Sequence, residues 1–170
     1  MHSMMTADQL SELLHARFPV EPLPRFFWRV GREQPPGDIP DGLWKRLAHR
    51  PWVDVTMRDW TMIGAPVWLA RVYLDPDAFR YYLPSLLIGV LGDIGYVDWA
   101  VECLLPAGRQ RRIDRKEWIE FWDGLSEKQR DAIRAYLTRV RSMLGNPVDP
   151  ADGHLQLLDE AAVIWGSSGR

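Results

Sequence analysis

Apolar residues recur along this chain at three- and four-residue intervals, the spacing that places side chains on one face of an α-helix. The densest stretch is Tyr73 to Asp93. Asp75-Pro76 reads as its helix start, with a capping carboxylate and a proline whose missing amide would go unpaired anyway. At about 100° per residue, Phe79, Leu83, Leu86 and Val90 share one side, Tyr81 and Ile88 lie opposite, and Leu87 and Leu91 fall between. A helix that is apolar all round is buried all round, so the pattern predicts a central helix over about 76–91, kinked at Pro84.

Other helices are predicted on either side. Thr6 with Gln9 forms a capping-box pattern ahead of Leu10, Leu13, Leu14 and Phe18, and this first helix should stop near Arg17, before Pro19, Pro22 and Pro24. Arg25 to Val30 is a short aromatic segment, extended or a helical turn. Gly31 to Pro40 reads as an exposed proline-rich loop. Asp41 is then expected to cap a helix carrying Leu43, Trp44 and Leu47, and Thr56 with Asp59 to cap one that turns Trp60 and Ile63 inward. Val67 to Leu74 follows a Gly-Ala-Pro break. Tyr96 to Leu105 is a short helix that ends at Pro106 and Gly108. Trp118, Phe121, Trp122 and Leu125 mark the next helix. Ser126 with Gln129 caps a helix striped by Ile133, Leu137, Val140 and Leu144, stopped by Gly145 and Pro147. Asp149-Pro150 is expected to open a last helix with Leu155, Leu158, Ala162 and Trp165 on one face. With no alternating-strand pattern, no repeat and no linker, the expectation is all-α: a single irregular helical domain over residues 1–170.

Composition narrows the function classes. Among 170 residues, 46% are hydrophobic, enough for a sizeable core, and nine are tryptophan, most of them expected at core corners with two or three free to line a binding surface. A net charge of −2 argues against a nucleic-acid binder. Cys103 is the only cysteine, so an internal disulfide is excluded. Met1 to Thr6 has neither a basic segment nor an apolar run, and the greasy runs 62–74 and 82–91 fall short of the ~20 residues a bilayer crossing needs. The expected setting is cytoplasmic, without membrane partners.

Leu-Asp-Pro-Asp-Ala-Phe-Arg-Tyr-Tyr-Leu-Pro-Ser-Leu-Leu (74–87) resembles the signature of a family of small bacterial proteins known only as a domain of unknown function. Trp52-Val53-Asp54-Val55, Phe121, Leu125 to Arg130 and Leu137 follow in an order similar to that family's weaker blocks. The resemblance covers Leu43 to Trp165, and the first forty residues depart from it. It implies a fold and no activity.

Candidate chemistry is sparse. His2, His15, His49 and His154 show no metal-ligand spacing, no Gly-x-Ser-x-Gly occurs, and Gly89, Gly92 and Gly95 follow a helix where a phosphate loop would precede one. No cofactor or metal is expected. Asp54 with Asp59, and Asp93 with Asp98, are the acids spaced closely enough to act as pairs, with capping and solvation the plainer explanation. Arg80 sits inside the greasy motif, so it either reaches outward or pairs with a carboxylate. Tyr81 and Tyr82 differ by about 100° and cannot face one partner. The basic run 109–116, interrupted by Asp114 and Glu117, reads as a solvated loop.

These features favour a non-catalytic protein-binding protein, specifically an immunity protein that occludes the active site of a cognate bacterial toxin. Its contact surface would comprise the loop from Arg32 to Asp41 with Asp54, Asp59, Asp93 and Asp98, and Arg80 and Tyr81 as further contacts. The alternatives are a small hydrolase using paired carboxylates, or a regulatory module that binds an anionic ligand through Arg80 and one of the tyrosines.

Overall fold

The computed structural model describes residues 4–29, 33–145 and 153–167. Among these lie nine α-helices: α1 (Ala7–Arg17), α2 (Asp38–Leu47), α3 (Met57–Ile63), α4 (Leu69–Tyr73), α5 (Pro76–Gly92), α6 (Val97–Cys103), α7 (Lys116–Asp123), α8 (Glu127–Leu144) and α9 (Gly153–Gly166). The β pairing among the described residues is one antiparallel bridge between Trp28 and Leu74. The all-α expectation holds.

Helix α5 is the centre. The Asp75 carboxylate accepts from the Asp77 amide at its start, and α1, α3, α6 and α7 pack around it. Phe79, Leu83, Leu86 and Val90 are buried together with Tyr82, Pro84 and Leu87. Each such burial contributes about 1.5–3 kcal/mol before ordering costs. Tyr81, Ile88 and Leu91 are only half-buried, so the helix is covered on most sides rather than on all of them. It runs on through Pro84.

Capping chemistry sets the boundaries. Thr6 with Gln9, Thr56 with Asp59 and Ser126 with Gln129 each form a complete capping box. The opposite helix ends show a second device, which sequence spacing does not reveal. Arginine side chains from elsewhere in the fold donate to the carbonyls left open at helix C-termini. Arg71 donates to Cys103 O and Leu105 O after α6, at 2.7 and 2.6 Å. Arg80 donates to Glu120 O of α7 at 2.6 Å, and Arg130 to Trp122 O of the same helix at 2.9 Å. Arg134 donates to Trp165 O of α9 at 2.7 Å. Arg29 serves α4 through Arg71 O and Val72 O while also pairing with Glu120. A cation is favoured there because the last carbonyls lack intrahelical partners and carry the negative end of the dipole. Helices of five to eight residues are unstable alone, and these tertiary caps tie each one to a neighbour.

Several expectations need correction. Helix α2 begins at Asp38, so the exposed loop stops short of Pro40, whose side chain is buried. The residue before the helix is Gly37, with φ 124°, and not Asp41, which lies in the first turn and accepts from Gln34. The 25–29 segment is extended, held by Arg29 N–H to Tyr73 O and Asp75 N–H to Phe27 O, both 2.9 Å. On α9 the buried alanine is Ala161 and Ala162 is exposed. Trp44 is 41% exposed. The helix start at Asp149-Pro150 and the stop at Pro147 lie outside the described residues.

Candidate functional site

The six residues singled out from sequence are dispersed. Asp59 is 7% exposed and already engaged, accepting from the Thr56 amide at 2.9 Å and lying 3.1 Å from Arg50 Nη1. Asp54 and Asp93 are exposed. Asp98 meets His154 Nδ1 at 2.5 Å, joining α6 to α9. None of these four acids lines the four clefts described below. Arg80 pairs with the exposed Asp77, and its guanidinium lies so close to Gly124 that a Cβ there would fall 2.0 Å from Arg80 Cζ. Tyr81 donates to Val20 O at 2.7 Å and accepts from the Trp52 amide at 3.3 Å. Arg80 and Tyr81 do share a cleft, a shallow one of about 150 Å³. The polar groups there are bonded to the protein itself.

Burial pushes the Asp59 carboxyl up, but the Thr56 amide and Arg50 outweigh it and hold it below the ordinary 3.8. A folded pKa below the unfolded one means that the carboxylate stabilises above about 3.8, an advantage lost as pH falls through the lower folded value. The gap in Tm between the protein and its Asp59→Asn variant is therefore expected at neutral pH and should narrow as the pH falls below 3.8. A gap independent of pH would show that the ion pair contributes nothing.

Four concave features stand out among the described residues. The first, of about 410 Å³, lies between α2 and the extended 23–28 segment. Phe27 stands edge-on to Trp28, Trp44 and Tyr82, with centroids 4.7, 5.4 and 6.2 Å away, and Trp28 and Trp44 are nearly parallel at 6.1 Å. His49 closes one end, 5.3 Å from Trp44 and at φ 64°, a left-handed conformation at the helix end that glycine usually occupies. Arg25, over the Phe26 ring at 5.1 Å, stands at the rim. The second, about 390 Å³, is an apolar groove between α7 and α9, floored by Trp118, Trp122 and Ile164 and edged by Ile113, Ile119 and Val163. Those three edge residues are 62%, 42% and 72% exposed. The third is the Arg80–Tyr81 cleft. The fourth, about 440 Å³, holds Arg29, Arg115 and Lys116 against Asp75, Glu117 and Glu120. Ion pairs Arg29–Glu120 and Arg115–Glu117 neutralise it internally. Among the described residues no cluster of His, Cys, Asp and Glu has metal-binding geometry, and no helix is long and apolar enough to cross a membrane.

A model for a family of unknown function, DUF6714, matches residues 38–165. The chain belongs to that family. No curated protein and no solved structure matches the chain. The DUF6714 region begins at the first residue of α2, so it includes nearly all of the α7–α9 groove but only one wall of the aromatic cleft. Leu23 to Trp28, the other wall, precede it.

Two of the residues that matter here were hidden for identifiable reasons. Leu43 and Leu47 sit four apart and define the buried face of α2, which places Trp44 about 100° away from Leu43, at the mouth of the cleft. The exposure of Val163 depends on which side of α9 meets α6 and α8, and periodicity alone cannot supply that neighbour.

Proposed function

We propose that this protein acts without catalysis, by binding another protein, and that its specific role is that of an immunity protein neutralising a bacterial toxin. The supporting observation is the α7–α9 groove. Monomeric proteins rarely leave several large apolar side chains exposed around one concavity, and such patches mark protein contacts. Trp118 and Trp122 offer a rigid aromatic floor into which a partner's apolar anchor can seat, and Asp123 is the one charged residue among the described residues of the lining. The partner fitted to it carries an apolar anchor flanked by a basic side chain. The acids Asp54 and Asp93 would speed encounter with a basic partner without carrying much affinity.

Co-expression with the product of an adjacent gene tests the reading. The expected result is rescue of growth and co-purification, both abolished by Ile119→Glu combined with Val163→Glu. These sites are open to solvent, so the unfolding free energy of the double variant should change by no more than about 0.5 kcal/mol per substitution. Failure of both rescue and co-purification removes the antidote role, and a partner retained by the double variant removes the groove.

A further inference from the structure

The geometry points to the aromatic cleft between α2 and the 23–28 segment as a binding site for a small molecule that combines a flat ring with a negatively charged group. This is independent of the protein-docking groove, which lies on other helices. The cleft's volume of about 410 Å³ falls in the range of small-ligand sites. Phe26, Phe27, Trp28, Trp44 and Tyr82 line it beside Leu23, Pro24 and Ala48, and aromatic faces hold flat rings by stacking or cations through their quadrupole.

Charge decides between those two ligand classes. A cation-binding cage needs an acid or an uncharged rim, and among the described residues no carboxylate lines this cleft. Among the described residues the only charged one in the lining is Arg25, whose exposed guanidinium lies over Phe26 and has no carboxylate partner there. An unpaired guanidinium at the rim repels an ammonium group and offers a two-pronged donor to a carboxylate or phosphate.

Side-chain geometry locates the ring. Trp28 is buried, and at 6.1 Å its plane is too close to that of Trp44 for a ring to slide between them, since two stacking distances need about 7 Å. The ligand's ring therefore lies on the open side of Trp44, beside His49. The left-handed backbone of His49 is consistent with that role. Glycine would end α2 there at lower conformational cost, and histidine supplies a ring against the edge of Trp44.

Calorimetric titration of the full-length protein with 2-naphthoate and with adenosine monophosphate separates aryl carboxylates from nucleotides as the source of this chemistry. 2-Naphthylmethylamine serves as the cationic control. Binding of at least one anion is expected, with the amine weaker by about tenfold or more. Arg25→Gln and Trp44→Leu should each weaken the bound anion by about tenfold, the loss of one charge-assisted contact or one stacking face. Arg25 is exposed, so Arg25→Gln should unfold at the temperature of the unaltered protein, whereas Trp44→Leu gives up ring contacts with Phe27 and Trp28 and should unfold somewhat lower while staying folded at the titration temperature. His49→Gly should weaken binding while leaving Tm unchanged or higher. The proposal is overturned if neither anion binds, if the amine binds as well as the anions, or if Trp44→Leu binds unchanged.

Discussion

Replacing Arg71 with alanine is expected to destabilise the fold by about 3–5 kcal/mol, lowering Tm by roughly 10 °C. Arg71 is fully buried, yet no carboxylate is bonded to it. Its guanidinium donates to Cys103 O and Leu105 O and lies 5.1 Å from the Trp118 ring centroid. Burial lowers its pKa from 12.5 to about 10, so it remains charged at neutral pH. The alanine variant loses two charge-assisted hydrogen bonds and strands two carbonyls in the core, each a cost of about 1–3 kcal/mol, and it opens a cavity beneath Trp118. Arg71→Met fills most of the space but cannot satisfy the carbonyls, so it should recover only the packing part. Arg71→Lys keeps the charge without the planar fork and should fall between arginine and alanine. Denaturant unfolding of the three variants checks the order. A loss below about 1 kcal/mol for alanine would mean that water reaches these carbonyls and that the tertiary cap is dispensable.

Leu86→Asp is expected to abolish cooperative unfolding altogether. Leu86 is fully buried on α5 among side chains from several packed helices. Removing a buried leucine costs about 2–5 kcal/mol, and an unpaired carboxylate in its place adds several more. The sum approaches the whole net stability of an ordinary domain, about 5–15 kcal/mol. Near-UV circular dichroism should collapse and the thermal transition disappear. Ile88→Asp, on the half-buried side of the same helix, should retain a transition at lower Tm. If Leu86→Asp remained folded with a sharp transition, α5 would not be the centre of the core.

The contrast between Leu86 and Arg71 shows where sequence reading succeeds and where it stops. Leu86 was legible because the apolar repeat from Phe79 to Val90 is local, and the capped start at Asp75-Pro76 fixes its phase. Arg71 was visible only as an interruption in an apolar run. Its carbonyl partners lie 32 and 34 residues ahead, a separation that no spacing rule reaches. Arg80, the arginine inside the most distinctive motif, also caps a helix, at the end of α7.

The candidate sites divide along the same line. The capping role of Asp59 is legible in sequence because a capping box is complete within four residues. The aromatic cleft joins Trp28, Trp44 and Tyr82, and the α7–α9 groove joins Ile113, Ile119 and Val163. Each set comes from separate helices and loops, so which faces remain open is settled only when those elements dock.

The sequence by itself determined the helix-rich class, the central helix and most helix boundaries, because periodicity and caps act within a few residues. Tertiary structure alone decided which arginines close which helix ends, which tryptophan faces solvent and where the concave surfaces lie. Those outcomes depend on contacts between residues tens of positions apart, whose geometry exists only once the chain has packed.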